Sequence, residues 1–361
     1  LVAGADAATP TVATQVMVSD RDRHVLVFGC DPETAIGTQD PLLIRFSNQE
    51  SITEWAAEAT NTAGDLRVGS GSQIVCAAET RQQILVWTDV SLHAMQYLGP
   101  PFTFGIDQLS ENTTIAGPLA VKAVDDTVFW MGVEEFYIYT GQVQKLPCSV
   151  RSYVFNDFNV EQQSQVTAGL NSSFSEIWWF YPSSSSTELD RYVVFNYEEK
   201  VWYYGTMVRT YWLDRGVNDY PVAANTDGYL YNHEFGLNDG TTTPASAISS
   251  YIQSSQLSIG EGEEFVFLNR LIPDLTFDAS TDETASVNMT LETRNYPGGQ
   301  YLQSNASAVT QSATTPVEQF TTEAYIRLRG RSFALKVDSS TIDIQWRLGS
   351  PRVEVRPDGR Q

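Results

Sequence analysis

Three histidines, His24, His93 and His233, are the side chains best suited to general acid–base work or metal ligation at neutral pH, and they lie far apart. Each falls in a different strand-like segment, with no second ligand at metal-binding spacing. The chain contains no HExxH helix motif, no GxSxG elbow and no Gly-rich phosphate loop. The acidic pairs Glu134/Glu135 and Glu198/Glu199 are neighbours within turns. Glycoside hydrolysis needs two acids facing one pocket, an arrangement that adjacency does not supply. The stretch 225–233, NTDGYLYNH, offers oxygen ligands, yet it lacks the acid spacing and terminal Glu of a calcium loop. A hairpin turn Thr-Asp-Gly-Tyr fits it better. Cys30, Cys76 and Cys148 form no CxxC pair. An odd, dispersed count reads as buried thiols in a reducing compartment rather than a disulfide framework or zinc site. Asn-x-Ser/Thr triplets at Asn112, Asn171, Asn288 and Asn305 are frequent by chance, and no signal peptide accompanies them. The sequence therefore supports no catalytic, cofactor-binding or metal-ligating assignment.

The elements that would position any such groups are strands. Runs of four to seven residues rich in Val, Ile, Phe, Tyr and Trp recur, closed by Gly, Asp, Asn or Pro, and helical periodicity is nearly absent. Several units share one format. In "DDTVFWMGVEEFYIYTGQVQKL" a turn leads to an aromatic strand, a short turn at Gly132–Glu134, a second strand and Thr140-Gly141. "RQQILVWTDVSLHAMQYLG" repeats it, and "SEIWWFYPSSSSTELDRYVVFNYEEKVWYYG" lengthens its first turn. Loose repetition about every 40–50 residues is the trace of a β-propeller, whose blades pack both faces against neighbours. That would explain ten aromatic residues between 176 and 205, among them Trp178, Trp179, Phe180, Tyr181 and Trp202. Core packing between blades is the preferred reading of them, over a ligand platform.

Residues 237–250, LNDGTTTPASAISS, are small and polar and read as a linker. The expected division is a propeller-like domain over 1–240 and a β-sandwich of about seven strands over 241–361. In the second part Tyr325, Arg327 and Arg329 alternate with Ile326 and Leu328, "IDIQWRLG" alternates likewise, and 304–322 reads as an exposed loop. A length of 361 residues suits two domains, and a start at Leu1 rather than Met suggests a piece of something longer. No apolar run is long enough to span a membrane, so no membrane insertion is expected. The net charge of −22 is uneven. Residues 325–361 hold eight Lys/Arg (Arg327, Arg329, Arg331, Lys336, Arg347, Arg352, Arg356, Arg360) against four acids, leaving 14 basic residues against 40 acidic in the rest. Such a body repels phosphates, which argues against DNA binding by charge neutralisation.

Long stretches of the chain resemble a known family. "LIRFSNQESITEWAAEATNTAGDLRVGSGSQIV", "ILVWTDVSLHAMQYLGPPFTFG", "VFWMGVEEFYIYTGQVQKLPCSVRSYVFND", "EIWWFYPSSSSTELDRYVVFNYEEKVWYYGTMVRTYWLD", "RGRSFALKVDSS" and "IQWRLGSPRVEVRPDGR" are similar to the tail nozzle, or tail tubular protein B, of short-tailed bacteriophages. Its relatives include packaged-DNA stabilisation proteins. The resemblance implies a non-enzymatic virion protein assembled in the host cytoplasm, a homohexameric ring beneath the portal and adaptor that also meets tail fibres. Double-stranded DNA would pass through its acidic lumen without specific binding. A polysaccharide-degrading or glycan-binding propeller is the alternative, though SxDxGxxW repeats are missing; a receptor-binding fibre is a third, though elongated trimeric repeats are missing too.

Overall fold

The computed structural model describes residues 4–259, 262–296 and 311–359. The chain divides into two compact units, Leu1–Glu234 and Phe235–Gln361, six residues ahead of the expected boundary at 240. The presumed linker is the reason: Asn238–Asp239 pairs antiparallel with Ser246–Ala247, and the Asn238 amide bonds Asp343 of the second unit at 2.6 Å. Polar side chains that would suit a free linker here satisfy a small hairpin instead. Residues 241–246 remain exposed. Limited proteolysis is expected to cut within Thr241–Ser250 and release two folded pieces on a gel; a single resistant core would contradict the division.

The first unit is a propeller-like series of antiparallel meanders. Four four-stranded sheets begin at Gln15–Ser19, Ile74–Glu79, Val121–Val124 and Thr167–Asn171, and a three-stranded sheet follows from Tyr211–Leu213 to Leu230–Asn232. Within each sheet consecutive strands pair, and the leading strands of successive sheets lie beside one another. The core is accordingly a stack of layers between blades. Leu26, Phe28, Ile44 and Phe46 of the first sheet meet Ile74, Val86, Met95 and Phe104 of the second. Trp87 of the second lies edge-on to Trp130 of the third, centroids 5.4 Å apart. Val27, Leu43 and Cys30 on the far face of the first sheet are covered by Ala8 and Trp55 from the chain's own loops. Helix is confined to the seven-residue Arg151–Asp157 and two short 3-10 turns among the described residues.

Glu176–Tyr181 shows why aromatic residues crowd this unit: all six side chains are buried. Alternate residues of a strand point to opposite faces, and both faces of this strand are covered. Ile177, Trp179 and Tyr181 join the layer with the third sheet. Trp178 and Phe180 join Trp212 of the fifth, with Trp178 and Trp212 stacked at 5.0 Å. Gly169 permits that stack, since a Cβ there would sit 2.6 Å from Trp212 ring atoms.

The second unit is a β-sandwich. One sheet orders the strands Ser250–Gln253, Ser332–Ser339, Ser286–Arg294 and Ser312–Glu318; the other orders Ala324–Gly330, Val266–Ile272 and Arg352–Pro357. Inward residues of both, including Leu268, Met289, Val317, Ile326, Leu328 and Val337, form its core. One expectation fails here. Residues 312–318 are an edge strand rather than loop, with Val317 buried and Pro316 tolerated because an edge strand needs fewer ladder N–H groups; residues 304–310 lie outside the described residues. "IDIQWRLG" keeps its alternation, with Ile344, Trp346 and Leu348 toward the core and Gln345 and Arg347 exposed, although only Arg347–Leu348 pairs as strand. Among the described residues, no helix is long and apolar enough to cross a membrane.

Candidate functional site

The histidines stay apart, on the first, second and fifth sheets or their edges, and each has a local structural partner. His24 contacts the Asp22 carbonyl at 2.7 Å within a cluster of Phe46, Tyr97 and Phe104, and burial lowers its pKa. His93 lies 2.9 Å from the Ser91 hydroxyl, its pKa likewise lowered by burial. His233 packs against Trp212 with its ring tilted by 44° and accepts from Arg209 Nε at 2.8 Å. Burial and the Arg209 cation hold it near 4. All three are neutral imidazoles at pH 7. Burial pushes Cys30 up to about 12 and Cys148 to about 11, and raises Cys76 too, so none is a thiolate nucleophile. Among the described residues no group of three His, Cys, Asp or Glu side chains could hold a metal.

The adjacent acid pairs do not converge on a pocket. Glu135 is tied to Lys145 at 3.1 Å and Arg151 at 2.9 Å, while the backbone N–H groups of Glu198 and Glu199 both donate to Asn196 Oδ1 in a turn. Within 225–233, Asp227 accepts from Asn225 and from the Tyr231 hydroxyl at 2.6 Å, bracing the turn at Gly228, φ 87°. Of the Asn-x-Ser/Thr sites, Asn171 is fully buried and Asn305 lies outside the described residues. In the second unit a shallow cleft of about 410 Å³ lies between Phe277, Asp278, Asp282, Glu318 and Phe320. Its Asp282 is engaged by Thr284, which donates from both N and Oγ1 at 2.8 Å.

The fold assembles one acidic constellation that sequence spacing did not reveal. Glu176, buried on the fourth sheet, stands directly across the ladder from Asn171, and the Asn171 amide donates to Glu234 at 3.1 Å. Trp178 Nε1 donates to Glu176 Oε2 at 3.0 Å, and the Tyr203 hydroxyl also bonds this carboxylate. Burial raises the Glu176 pKa despite those two hydrogen bonds. Burial and the Glu176 charge raise that of Glu234. Glu234 retains solvent-exposed surface, so the larger electrostatic consequence falls on Glu176. Asn171 Oδ1 finds no partner. A raised acid contributes fully below its unfolded pKa, and that contribution is lost as pH rises through the folded value. Glu176→Gln is therefore expected to leave stability unchanged near pH 4 and raise it by about 1 kcal/mol at pH 8. Urea denaturation at both pH values measures this; a variant weakened at pH 8 more than at pH 4 would show a satisfied anion instead.

No family model and no curated protein matches this chain. Among solved structures, Hsv2 of Kluyvelomyces marxianus is similar over 63% of this chain and 62% of that one, at 8% identity and TM-score 0.37; this chain thus spans less than two thirds of that protein. The AfRom2 CNH domain is similar over 70% and 75%, at 11% identity and TM-score 0.36. The N-terminal domain of Nup159 is similar over 87% and 61%, at 8% and 0.31. Likenesses this slight assign no function.

Proposed function

We propose that this chain is a structural component of a short-tailed bacteriophage tail, the nozzle forming the lower part of the DNA-ejection conduit. It would act in the virion as a homohexamer against adaptor or portal-side proteins and tail fibres. The observation that carries the reading is the resemblance of long segments, spread from residue 43 to residue 360, to that family. The architecture agrees physically. Blades joined through close-packed aromatic layers, and a sandwich with its own core, make bodies that resist deformation. An acidic body holds DNA off by repulsion over about a Debye length, roughly 8 Å at physiological salt, so a duplex slides without being trapped.

Imaging of the assembled particle is expected to show a six-fold ring at the tail tip, with acids lining its channel. A channel that is neutral or basic, with acids only outside, would defeat the slippery-conduit idea. The alternative, a glycan-degrading propeller, draws on Glu176 and Glu234, two acids of raised pKa brought together. Purified protein is expected to show no polysaccharide turnover; turnover abolished by Glu176→Gln would favour the enzyme.

A further inference from the structure

Beside the two acids that the fold gathers at the fourth sheet lies a buried oxygen without a partner. Asn171 and Glu176 stand directly opposite across the ladder, so their side chains leave the sheet on one face, with Cβ atoms about 5 Å apart. The Asn171 amide is held at the cluster by its Nδ2, which donates to Glu234 Oε1 at 3.1 Å. Its Oδ1 belongs to the same planar group, is buried with the rest of the residue, and accepts no hydrogen bond. Native structures leave few buried polar atoms unmatched, so this one asks for a ligand. Glu176 is oriented by Trp178 Nε1 at 3.0 Å and by the Tyr203 hydroxyl. Glu234 approaches from a residue in the left-handed backbone region, φ 59°, uncommon for a side chain with a Cβ. Its carboxylate side stays open to solvent. Neither acid belongs to an ion pair among the described residues, and no cation contributes to the pKa of either.

The geometry points to this cluster as a binding site for a calcium ion, with Glu176, Glu234 and Asn171 Oδ1 as its protein ligands. The two carboxylates match the charge of a divalent ion, and the amide oxygen is the neutral donor that a hard cation accepts alongside them. Calcium takes about six to eight oxygens in loose geometry, so water entering past Glu234 completes the shell. Magnesium demands a tight octahedron and sheds water reluctantly, which suits three ligands from two strands and a turn less well. Without a cation the negative charges are met by protons. Burial raises the Glu176 pKa, and burial with the Glu176 charge raises that of Glu234. An ion must displace those protons, so its affinity rises with pH. The other titratable groups nearby do not compete: Tyr192 and Tyr203 are raised by burial and stay neutral hydroxyls, and burial holds His233 neutral. All three ligands belong to the first unit, so the site does not rest on the tail reading.

The test is isothermal titration of the chelator-treated full chain with calcium chloride, at pH 8 and about 0.15 M salt. One saturable site is expected, with a Kd of about 0.1–1 mM, the weak end of the calcium range. Glu176→Gln and Glu234→Gln should each weaken it at least tenfold, as should a shift to pH 5, where protons compete. Asn171→Asp, which adds a third charge, should bind more tightly than wild type. Glu198→Gln/Glu199→Gln removes two exposed acids of a turn and should bind as wild type does. Calcium should raise the melting temperature of wild type and leave that of Glu176→Gln nearly unmoved. A wild type without saturable binding overturns the proposal. So does equal binding by Glu234→Gln, whose exposed position keeps the fold out of question, or equal affinity for magnesium. Either would mark a diffuse attraction of divalent ions to a body of charge −22.

Discussion

Trp179→Ala is expected to destabilise residues 1–234 by about 3–5 kcal/mol, the range for emptying a buried aromatic site. Trp179 is fully buried. Its ring packs against Phe136 at 5.0 Å and Trp202 at 6.0 Å, and its Nε1 donates to the Ala120 carbonyl at 3.0 Å. The substitution therefore opens a cavity between the third and fourth sheets and also removes one of the two hydrogen bonds that the Ala120 carbonyl accepts, leaving it the Met131 N–H at 3.1 Å. Urea denaturation followed by circular dichroism reads the loss. Tyr203→Ala, at a site 37% exposed, should cost less than half as much. The reverse ranking, with Trp179→Ala costing under 1 kcal/mol, would mean that these strands are held for a surface role and not for the core.

Asp31→Ala carries the second large effect, about 2–5 kcal/mol, because each stranded donor costs about 1–3 kcal/mol. The Asp31 side chain is fully buried and its carboxylate gathers donors from two loops. The Thr11 N–H and hydroxyl donate at 3.0 and 2.8 Å, the Val12 N–H at 3.2 Å and the Gly37 N–H at 2.6 Å. Burial alone would raise its pKa, but these hydrogen bonds outweigh it and set the value at about 2, against an ordinary 3.8. The sign follows from linkage. A depressed acid contributes fully above its unfolded pKa, and the contribution disappears as pH falls from 3.8 to about 2. The stability gap between wild type and Asp31→Asn should therefore be wide at pH 6 and narrow steadily below pH 4. A gap independent of pH would show that shape, and not charge, is what the site requires.

Arg45 illustrates how such burial is met elsewhere in the same sheet. It is almost wholly enclosed, and it donates to the carbonyls of Asp31 at 3.3 Å and Trp55 at 3.2 Å. The loop that carries Trp55 thus closes the outer face of the first sheet through both an apolar contact and a charge-assisted hydrogen bond.

By itself the sequence determined the kinds of elements and their format. Strand, turn and strand are written locally, in alternation such as Tyr325-Ile326-Arg327-Leu328 and in turn residues such as Gly228. Apolar residues on both faces of Glu176–Tyr181 announce a strand covered on both sides. The scattering of His24, His93 and His233 was equally legible, and the fold leaves them scattered. Only the tertiary structure decided which distant residues meet. Glu176 and Glu234 are brought together because the chain passes through a fifth sheet and returns beside the fourth. Arg270, Arg327 and Arg352 share the outer face of the sandwich's three-stranded sheet because the register of its strands is set by core residues on their opposite side. Residues 312–318 became a strand because Ser286–Arg294 offered it a ladder and the core offered Val317 a place. Alternation is a property of neighbours in the chain, whereas register and sheet order are set by packing between segments far apart in it, and they leave no local trace.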